Sequence, residues 1–331
     1  MVMSSAPRPA HPAGAAALPL ELADLGELVG VGGDELIRLV ERAVAESYAR
    51  AHPADAGVAA QFEPQSATVS LWRHGVSGGE PEAVPLTAEL TRLAVQAVRT
   101  AVTQRQREVE RERVLREGIV RAGELADAII ERQDGRLWWL RVDGMPALLP
   151  PEEQVAGDRL ERNHHLKVLL LDVRRRPRDA VLVVSRSHPQ LLRRLLEQEV
   201  PELAEGQVVV RALAREAGRR SKVAVDCPGG ALDPEGACIG PRGVRIRAVV
   251  AELGEEQVQV VRWSADPAEL VARALAPAAA LTVELDEESR TAHVTVPAAQ
   301  LSLAIGRAGE NARVAARLTG WRIDIRAAEA V

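Results

Sequence analysis

The sequence has little of several residue types on which common protein classes depend. Only Cys227 and Cys238 occur among 331 residues, too few for a disulfide framework, and neither lies in a Cys-x-x-Cys pair. We therefore predict two buried thiols without metal or redox chemistry. Aromatic residues make up 2% of the chain. Stacking on bases has few candidates, chiefly Trp138 and Trp139, and both are equally suited to a protein core.

Long apolar runs are also missing, and none approaches the ~20 residues that a membrane helix needs. The opening M-V-M-S-S-A-P-R-P-A-H-P carries prolines where a signal peptide would have an unbroken apolar core. We expect a disordered tail over residues 1–18, no membrane partner and a cytoplasmic protein.

Excess positive charge is absent, since the net charge is −5. This argues against a protein that coats nucleic acid by bulk charge, so any such binding must be local. Of the 42 basic residues only Lys167 and Lys222 are lysines. A GC-rich genome would explain the skew, and arginine is also the better phosphate ligand, so both explanations stay open.

A chain of this length predicts about two to four domains. Apolar residues at helical spacing predict a helix over 34–50, short strand-like runs follow at 58–62 and 68–73, and a long helix is expected over 85–117. The apolar stripe of that helix gives way to charged residues beyond Gln104. We assign residues 19–116 to an N-terminal α/β domain whose last helix is a connector.

Residues 117–187 show five or six β-like runs, beginning at 119–121, with turn residues between them. This pattern predicts a five-stranded barrel of the OB type. The loop R-R-R-P-R-D before the last strand is either a solvated turn or a phosphate contact. Its arginines are Arg174, Arg175, Arg176 and Arg178.

A two-residue gap between glycines occurs twice near the C-terminus, as A-C-I-G-P-R-G-V-R-I-R from residue 237 and A-I-G-R-A-G-E-N-A-R from residue 304. The surrounding patterns predict the order α-β-β-α-α-β over residues 188–264 and again over 265–331. The order therefore indicates a tandem duplication of one fold.

Glycines flanking a turn between two helices let a ligand approach bare backbone, and the next helix offers free N–H groups to an anion. A lone pair of this kind is often only a tight turn, but KH domains use such a loop to clamp about four nucleotides. The residues that we expect to contact RNA at the first loop are Gly240, Pro241, Arg242, Gly243, Arg245 and Arg247. Those at the second loop are Gly306, Arg307, Ala308, Gly309, Arg313 and Arg317.

Other candidate sites are weaker. Gly30–Gly33 lacks the strand-then-helix context of a dinucleotide site, and His164 and His165 lack partner ligands nearby in sequence. No paired carboxylates or nucleophile-base pattern stands out. We expect no catalytic residues, no metal, no cofactor and no enzymatic activity.

Three stretches resemble the NusA family of bacterial transcription factors. They are V-L-L-L-D-V-R-R-R-P-R from residue 168, D-P-E-G-A-C-I-G-P-R-G-V-R-I-R-A-V-V-A-E-L from 233, and L-A-I-G-R-A-G-E-N-A-R-V-A-A-R-L-T-G-W-R-I-D-I from 303. The resemblance covers about residues 105–327, and residues 19–104 agree only in the order of elements. The fold class that it implies is multidomain α+β: an N-terminal polymerase-binding domain, an S1-type OB barrel and two type II KH domains.

The resemblance implies a monomer that docks on core RNA polymerase, receives nascent single-stranded RNA, and modulates pausing, termination and antitermination without chemistry of its own. Other antitermination factors are further partners that it allows. The acidic repeats that some members carry do not follow the second KH pattern, so we expect no self-inhibition by such a tail. The alternative hypothesis is an RNA-binding protein of the ribosome or of messenger turnover, where KH and S1 modules also occur.

Overall fold

The computed structural model describes residues 16–17, 33–53, 57–64, 66, 68–73, 81–177 and 179–328. By their internal contacts these residues fall into two compact units, Met1–Arg113 with Arg176–Ala180, and Val114–Arg175 with Val181–Val331. Most of the predicted tail and of the Gly30–Gly33 loop lies outside the described residues. Among the helices that are described, none has the length and apolar character needed to cross a membrane.

The first unit packs two helices with a small antiparallel sheet. The helices are α1 (Gly33–Ala51) and α2 (Ala88–Val120), and residues 114–120 of α2 belong to the second unit. The strands are β1 (Ala16–Ala17), β2 (Val58–Glu63), β3 (Thr68–Arg73) and β4 (Glu82–Val84). Strand β3 pairs with the other three strands. The predicted helices and two strands are confirmed, whereas β4 and the pairing of Ala16–Ala17, inside the predicted tail, are additions.

The core of this unit follows from helical spacing on both helices. Leu36, Val40 and Val44 of α1 and Val98 and Val102 of α2 are buried together with side chains of the sheet. Acidic residues in the first turn of α1 and Arg50 in its last turn complement the helix dipole. The helical spacing of the apolar residues therefore determines which face of each helix is buried.

The second unit begins with a closed barrel in the order β5-β6-β7-β9-β8. Its strands are β5 (Leu125–Asp134), β6 (Leu137–Val142), β7 (Met145–Leu149), β8 (His165–Arg175) and β9 (Ala180–Ser185). The predicted strand at 119–121 is wrong, since Ile119 and Val120 form the exposed end of α2. A short apolar run does not by itself distinguish a strand from a helix that continues.

Two α-β-β-α-α-β domains follow, as the sequence predicts. The first contains α3 (Pro189–Glu199), the short α4 (Pro201–Ala204), β10 (Val209–Glu216), β11 (Arg220–Asp226), α5 (Pro234–Ile239), α6 (Val244–Glu252) and β12 (Gln257–Arg262). The second contains α7 (Pro267–Ala274), β13 (Thr282–Asp286), β14 (Thr291–Val296), α8 (Leu301–Ile305), α9 (Glu310–Thr319) and β15 (Arg322–Ala327). In each sheet the middle strand is antiparallel to the first strand and parallel to the last.

These two domains share one hydrophobic core. Ala214, Ala224 and Val261 of the first sheet lie in a cluster with Val271 and Val314 of the helices α7 and α9. The opposite face of the same sheet packs against its own helices α3, α5 and α6. Because strand side chains alternate, the first sheet is covered on both faces. The second domain thus packs on the first through its helices.

Candidate nucleic-acid interface

The first glycine loop joins α5 to α6 by a sharp reversal of the backbone. Gly240 ends α5 with φ 75° and ψ 170°, and Gly243 precedes α6 with φ 72°. Arg242 between them also has a positive φ of 53°. The Gly243 N–H donates to the Gly240 carbonyl at 2.9 Å, which closes the turn.

The second loop has almost the same backbone. Gly306 has φ 76° and ψ 172°, Ala308 has φ 50° and Gly309 has φ 75°. The Gly309 N–H donates to the Gly306 carbonyl at 3.1 Å. Within the described part of the chain, no side chain caps the N-terminus of α6 or α9. The first residues, Val244 and Glu310, donate their N–H groups to the Pro241 and Arg307 carbonyls, so the helix dipole and the next N–H groups of the first turn make each loop a suitable place for an anion.

The first glycine of each loop is required by what lies beneath it. A Cβ atom at Gly240 would lie 2.7 Å from Cγ of Arg245, and one at Gly306 would lie 2.8 Å from both Cβ and the backbone nitrogen of Asn311. Their φ and ψ values also belong to a region that is essentially restricted to glycine. The second glycines are less restricted, because a Cβ at Gly243 would lie 2.9 Å only from the terminal Nη1 of Arg247, and one at Gly309 has no contact closer than 3.7 Å.

The arginines around the first loop divide into two groups. Arg242 and Arg247 are exposed, and Arg247 donates to the Arg242 carbonyl. Arg245 instead turns inward, where its Nη1 donates to both carboxylate oxygens of Glu202 at 3.1 and 2.8 Å and to the Ala237 carbonyl at 2.6 Å. The structure therefore gives Arg245 a supporting place behind the loop.

Around the second loop, Arg313 occupies the position that matches Arg247. Its Nη1 donates to the Ala308 carbonyl at 2.8 Å, while Nε and Nη2 contact the two carboxylate oxygens of Glu216 at 2.8 and 3.0 Å. Arg317 also lies 3.3 Å from Glu216. The hydrogen bond from Arg313 is the main cause that lowers the pKa of Glu216. Arg307 is exposed.

Glu216 comes from β10 of the first domain, and sequence reasoning gave no signal for it. Nearby, Arg219 Nη1 lies 3.5 Å from Oε1 of Glu310, and Arg220 Nη1 lies 3.4 Å from Oδ1 of Asn311. These contacts depend on how the two domains pack, which no local pattern in the chain encodes.

The predicted RNA contacts of the barrel include exposed arginines and two half-buried tryptophans. Arg174 and Arg175 are exposed at the end of β8. The Arg176 N–H donates to the Asp179 carbonyl at 2.9 Å within the loop, and Arg178 lies outside the described residues. Trp138 and Trp139 are half-buried, and the Arg132 guanidinium lies 4.8 Å from the ring centroid of Trp139.

The two cysteines differ in their burial. Cys238 is buried as predicted, and burial raises its pKa to about 12, whereas Cys227 is half-buried. Among the residues that the structure describes, no group of histidine, cysteine or acidic side chains is placed to hold a metal ion.

A five-stranded barrel followed by two α-β-β-α-α-β domains with matching glycine loops defines a multidomain protein of the KH class. Residues 186–263 match the family model of the NusA-like first KH domain, and residues 267–331 match that of the NusA-like second KH domain. The chain belongs to the NusA family.

Curated relatives support this assignment over most of the chain. The transcription termination/antitermination protein NusA of Mycobacterium bovis is 38% identical over 316 residues, which cover 90% of this chain and 89% of that protein. The NusA of Halalkalibacterium halodurans is 44% identical over 71% of this chain, and that of Thermus thermophilus is 44% identical over 73%. In each of these two cases the match spans 62% of the relative's length. None of these names carries a catalytic activity.

Proposed function

We propose that this protein is a transcription elongation, termination and antitermination factor that docks on core RNA polymerase and binds nascent single-stranded RNA. The observation that carries the proposal is the pair of glycine loops with the same backbone, each followed by an uncapped helix. The names of the relatives supply the process, transcription termination and antitermination.

Each loop would bind the RNA backbone by the same means. A phosphate approaching Gly243 or Gly309 meets backbone without a side chain and the N-terminal end of α6 or α9. Exposed Arg242, Arg247 and Arg307 supply positive charge beside it. Arg174, Arg175 and Arg176 of the barrel would add phosphate contacts, and Arg245 would act by supporting the first loop.

The proposed domains are residues 19–116 for polymerase binding, 117–187 for the S1-type barrel, 188–264 for the first KH domain and 265–331 for the second. In this proposal the protein acts by binding alone and catalyses no reaction. A role on nascent bacterial RNA would place it in the cytoplasm.

The test compares two pairs of glycine-to-aspartate substitutions with the same change in charge. Gly243→Asp with Gly309→Asp adds side chains and negative charge at the loops. Gly254→Asp with Gly320→Asp makes the same change at the opposite ends of α6 and α9, where φ is 71° and 74° and a Cβ meets no atom within 4 Å.

We expect the loop pair to weaken binding of randomised single-stranded RNA at least tenfold, because one side chain and one negative charge are added at each of the two loops, whereas the control pair stays within about twofold. Equal affinities of the two folded pairs would contradict the proposed RNA site.

Polymerase docking is tested separately with the same proteins. Purified core RNA polymerase should retain the full chain and the loop pair alike, while only the unsubstituted chain and the control pair should change pause duration. Failure of the polymerase to retain any of them would favour an RNA-binding protein of the ribosome or of messenger turnover.

A further inference from the structure

The turn between β10 and β11 of the first KH domain lies beside the glycine loop of the second. We call this segment, Glu216–Arg220, the first-domain turn. Glu216 contacts Arg313 and Arg317, and Arg219 contacts Glu310, the first residue of α9. The second loop is therefore surrounded by residues of both domains.

The equivalent turn of the second domain has other neighbours. Pairing across the strands matches Glu216 with Asp286 and Arg219 with Arg290. Asp286 accepts the Ser289 hydroxyl at 2.7 Å within its own turn, and Arg290 lies over the Trp321 ring at 4.9 Å. The duplication thus offers a matched position for both Glu216 and Arg219.

Glu216 fixes the guanidinium that supports the second loop. Two edges of Arg313 are engaged, one by the Glu216 carboxylate in a forked pair and one by the Ala308 carbonyl. The Glu216 side chain is only 11% exposed, whereas that of Arg313 is 45% exposed, so the buried carboxylate restricts the geometry of an otherwise exposed guanidinium. The carboxylate consequently sets where the loop carbonyl and the outward N–H groups of Arg313 lie.

Arg219 is differently placed, because its side chain is 63% exposed. Its contact with Glu310 spans 3.5 Å, and an exposed pair of this length contributes little by itself. Glu310 matches Val244 of the first domain and brings a negative charge to the start of α9, where the first loop has none. Arg219 offsets that charge and remains open to a phosphate.

We propose that the first-domain turn is part of the RNA site of the second loop, with Glu216 as a positioning residue and Arg219 as a phosphate contact. This inference rests on the proposed function. RNA at the second loop would then be bound by groups from both domains, and substitutions in the first domain would alter binding at the second.

Glu216→Gln should change the RNA affinity in opposite directions, depending on whether Glu216 acts only through its charge or also positions Arg313. Removing a negative charge near a phosphate should tighten RNA binding by electrostatics alone. Loss of the forked pair should instead release Arg313 and weaken binding of a randomised single-stranded RNA of about 12 nucleotides, by about fivefold. Asp286→Asn removes the same charge from the matched turn and is the control, expected within about twofold.

Glu216→Asp provides a second variant that keeps the charge. Its shorter side chain withdraws the carboxylate from Arg313, so we expect weakening here also. An unchanged affinity for Glu216→Asp together with tighter binding for Glu216→Gln would overturn the positioning role.

Arg219→Gln tests the phosphate contact through its salt dependence. Each phosphate contact on a single strand contributes about 0.7 to the slope of log affinity against log salt. We expect Arg219→Gln to reduce that slope by about 0.7 and to weaken binding about threefold. Arg290→Gln, with the same loss of charge in the matched turn, should leave the slope unchanged.

The controls separate failure of this inference from failure of the proposed function. If Gly309→Asp weakens binding while the Arg219 and Glu216 variants match their controls, the second loop binds RNA without the first-domain turn. If the unsubstituted protein binds no RNA, the proposed function itself fails.

Discussion

The two KH domains have nearly the same loop backbone and different surroundings. The first glycines differ by 1° in φ (75° and 76°), whereas the side chain beneath each glycine is Arg245 in one domain and Asn311 in the other. Arg245 forms an ion pair with Glu202 of its own domain, while the side-chain oxygen of Asn311 accepts a hydrogen bond from Arg220 of the other domain. The glycines therefore fix the loop conformation locally, whereas the packing of the domains decides which charges surround the loop.

The sheets of the two KH domains also share a topology and differ in the side chains that they carry. The cross-strand row Ala214, Lys222 and Gln259 of the first sheet matches the row Glu284, His293 and Asp324 of the second. Lys222 is fully buried and donates to Gln259 and to the Ala276 carbonyl, both at 2.7 Å. His293 is 41% exposed beside Asp324. The row that faces the second domain thus holds a buried lysine with two hydrogen-bond acceptors, whereas the matching row of the second sheet holds a partly exposed histidine beside a carboxylate.

The largest expected effect is a loss of stability when the first glycine of each loop is replaced by alanine. Gly240→Ala and Gly306→Ala both force alanine into a glycine-only conformation, a cost of about 1–3 kcal/mol. Gly306→Ala should cost more, about 3–4 kcal/mol, because its Cβ would meet the backbone nitrogen of Asn311, whereas the atoms nearest Gly240 all belong to the Arg245 side chain, which can shift without moving the backbone. Hydrogen exchange of each domain in the full chain measures both losses of stability. A larger loss for Gly240→Ala than for Gly306→Ala would contradict this prediction.

A smaller difference is expected for the side chains beneath these glycines. Asn311→Ala leaves the Leu275 and Ala304 carbonyls without their donor in a buried place, at a cost of about 2 kcal/mol. Arg245→Ala releases Glu202, whose side chain is 26% exposed and can be hydrated, so we expect about 1 kcal/mol or less. Urea unfolding ranks the two variants, and the reverse order would show that the inward arginine carries more of the first domain's stability than its exposure indicates.

The last comparison concerns pH and the buried lysine, where the expected change is gradual. Burial lowers the pKa of Lys222 to about 7, so between pH 7 and its ordinary pKa of 10.5 the unfolded chain binds more protons than the folded chain. Stability should therefore rise with pH in this window, by about 1 kcal/mol for each unit from pH 7 to 8.5. Lys222→Met should remove this rise, with Lys167→Met as the control. A rise that persists in Lys222→Met would assign it to another group.

Much of the architecture could be predicted because it depends on local periodicity. Helical spacing predicted α1 and α2, alternation and turn residues predicted the barrel strands, and the repeated glycine pair predicted both loops with their flanking helices. The strand predicted at 119–121 failed because Ile119 and Val120 suit either element, and the continuing helix α2 decided between them. Neither β4 nor the short helix α4 has enough residues to show a period.

The two equal loops follow from the sequence alone, since each glycine conformation is a property of a few consecutive residues. The contacts of Arg245 with Glu202 and of Glu216 with Arg313, and the burial of Lys222 between two domains, arise only when the chain is folded. Those partners lie 43, 97 and 54 residues apart along the chain. Contacts over such separations depend on how whole domains pack, and no local pattern specifies that packing.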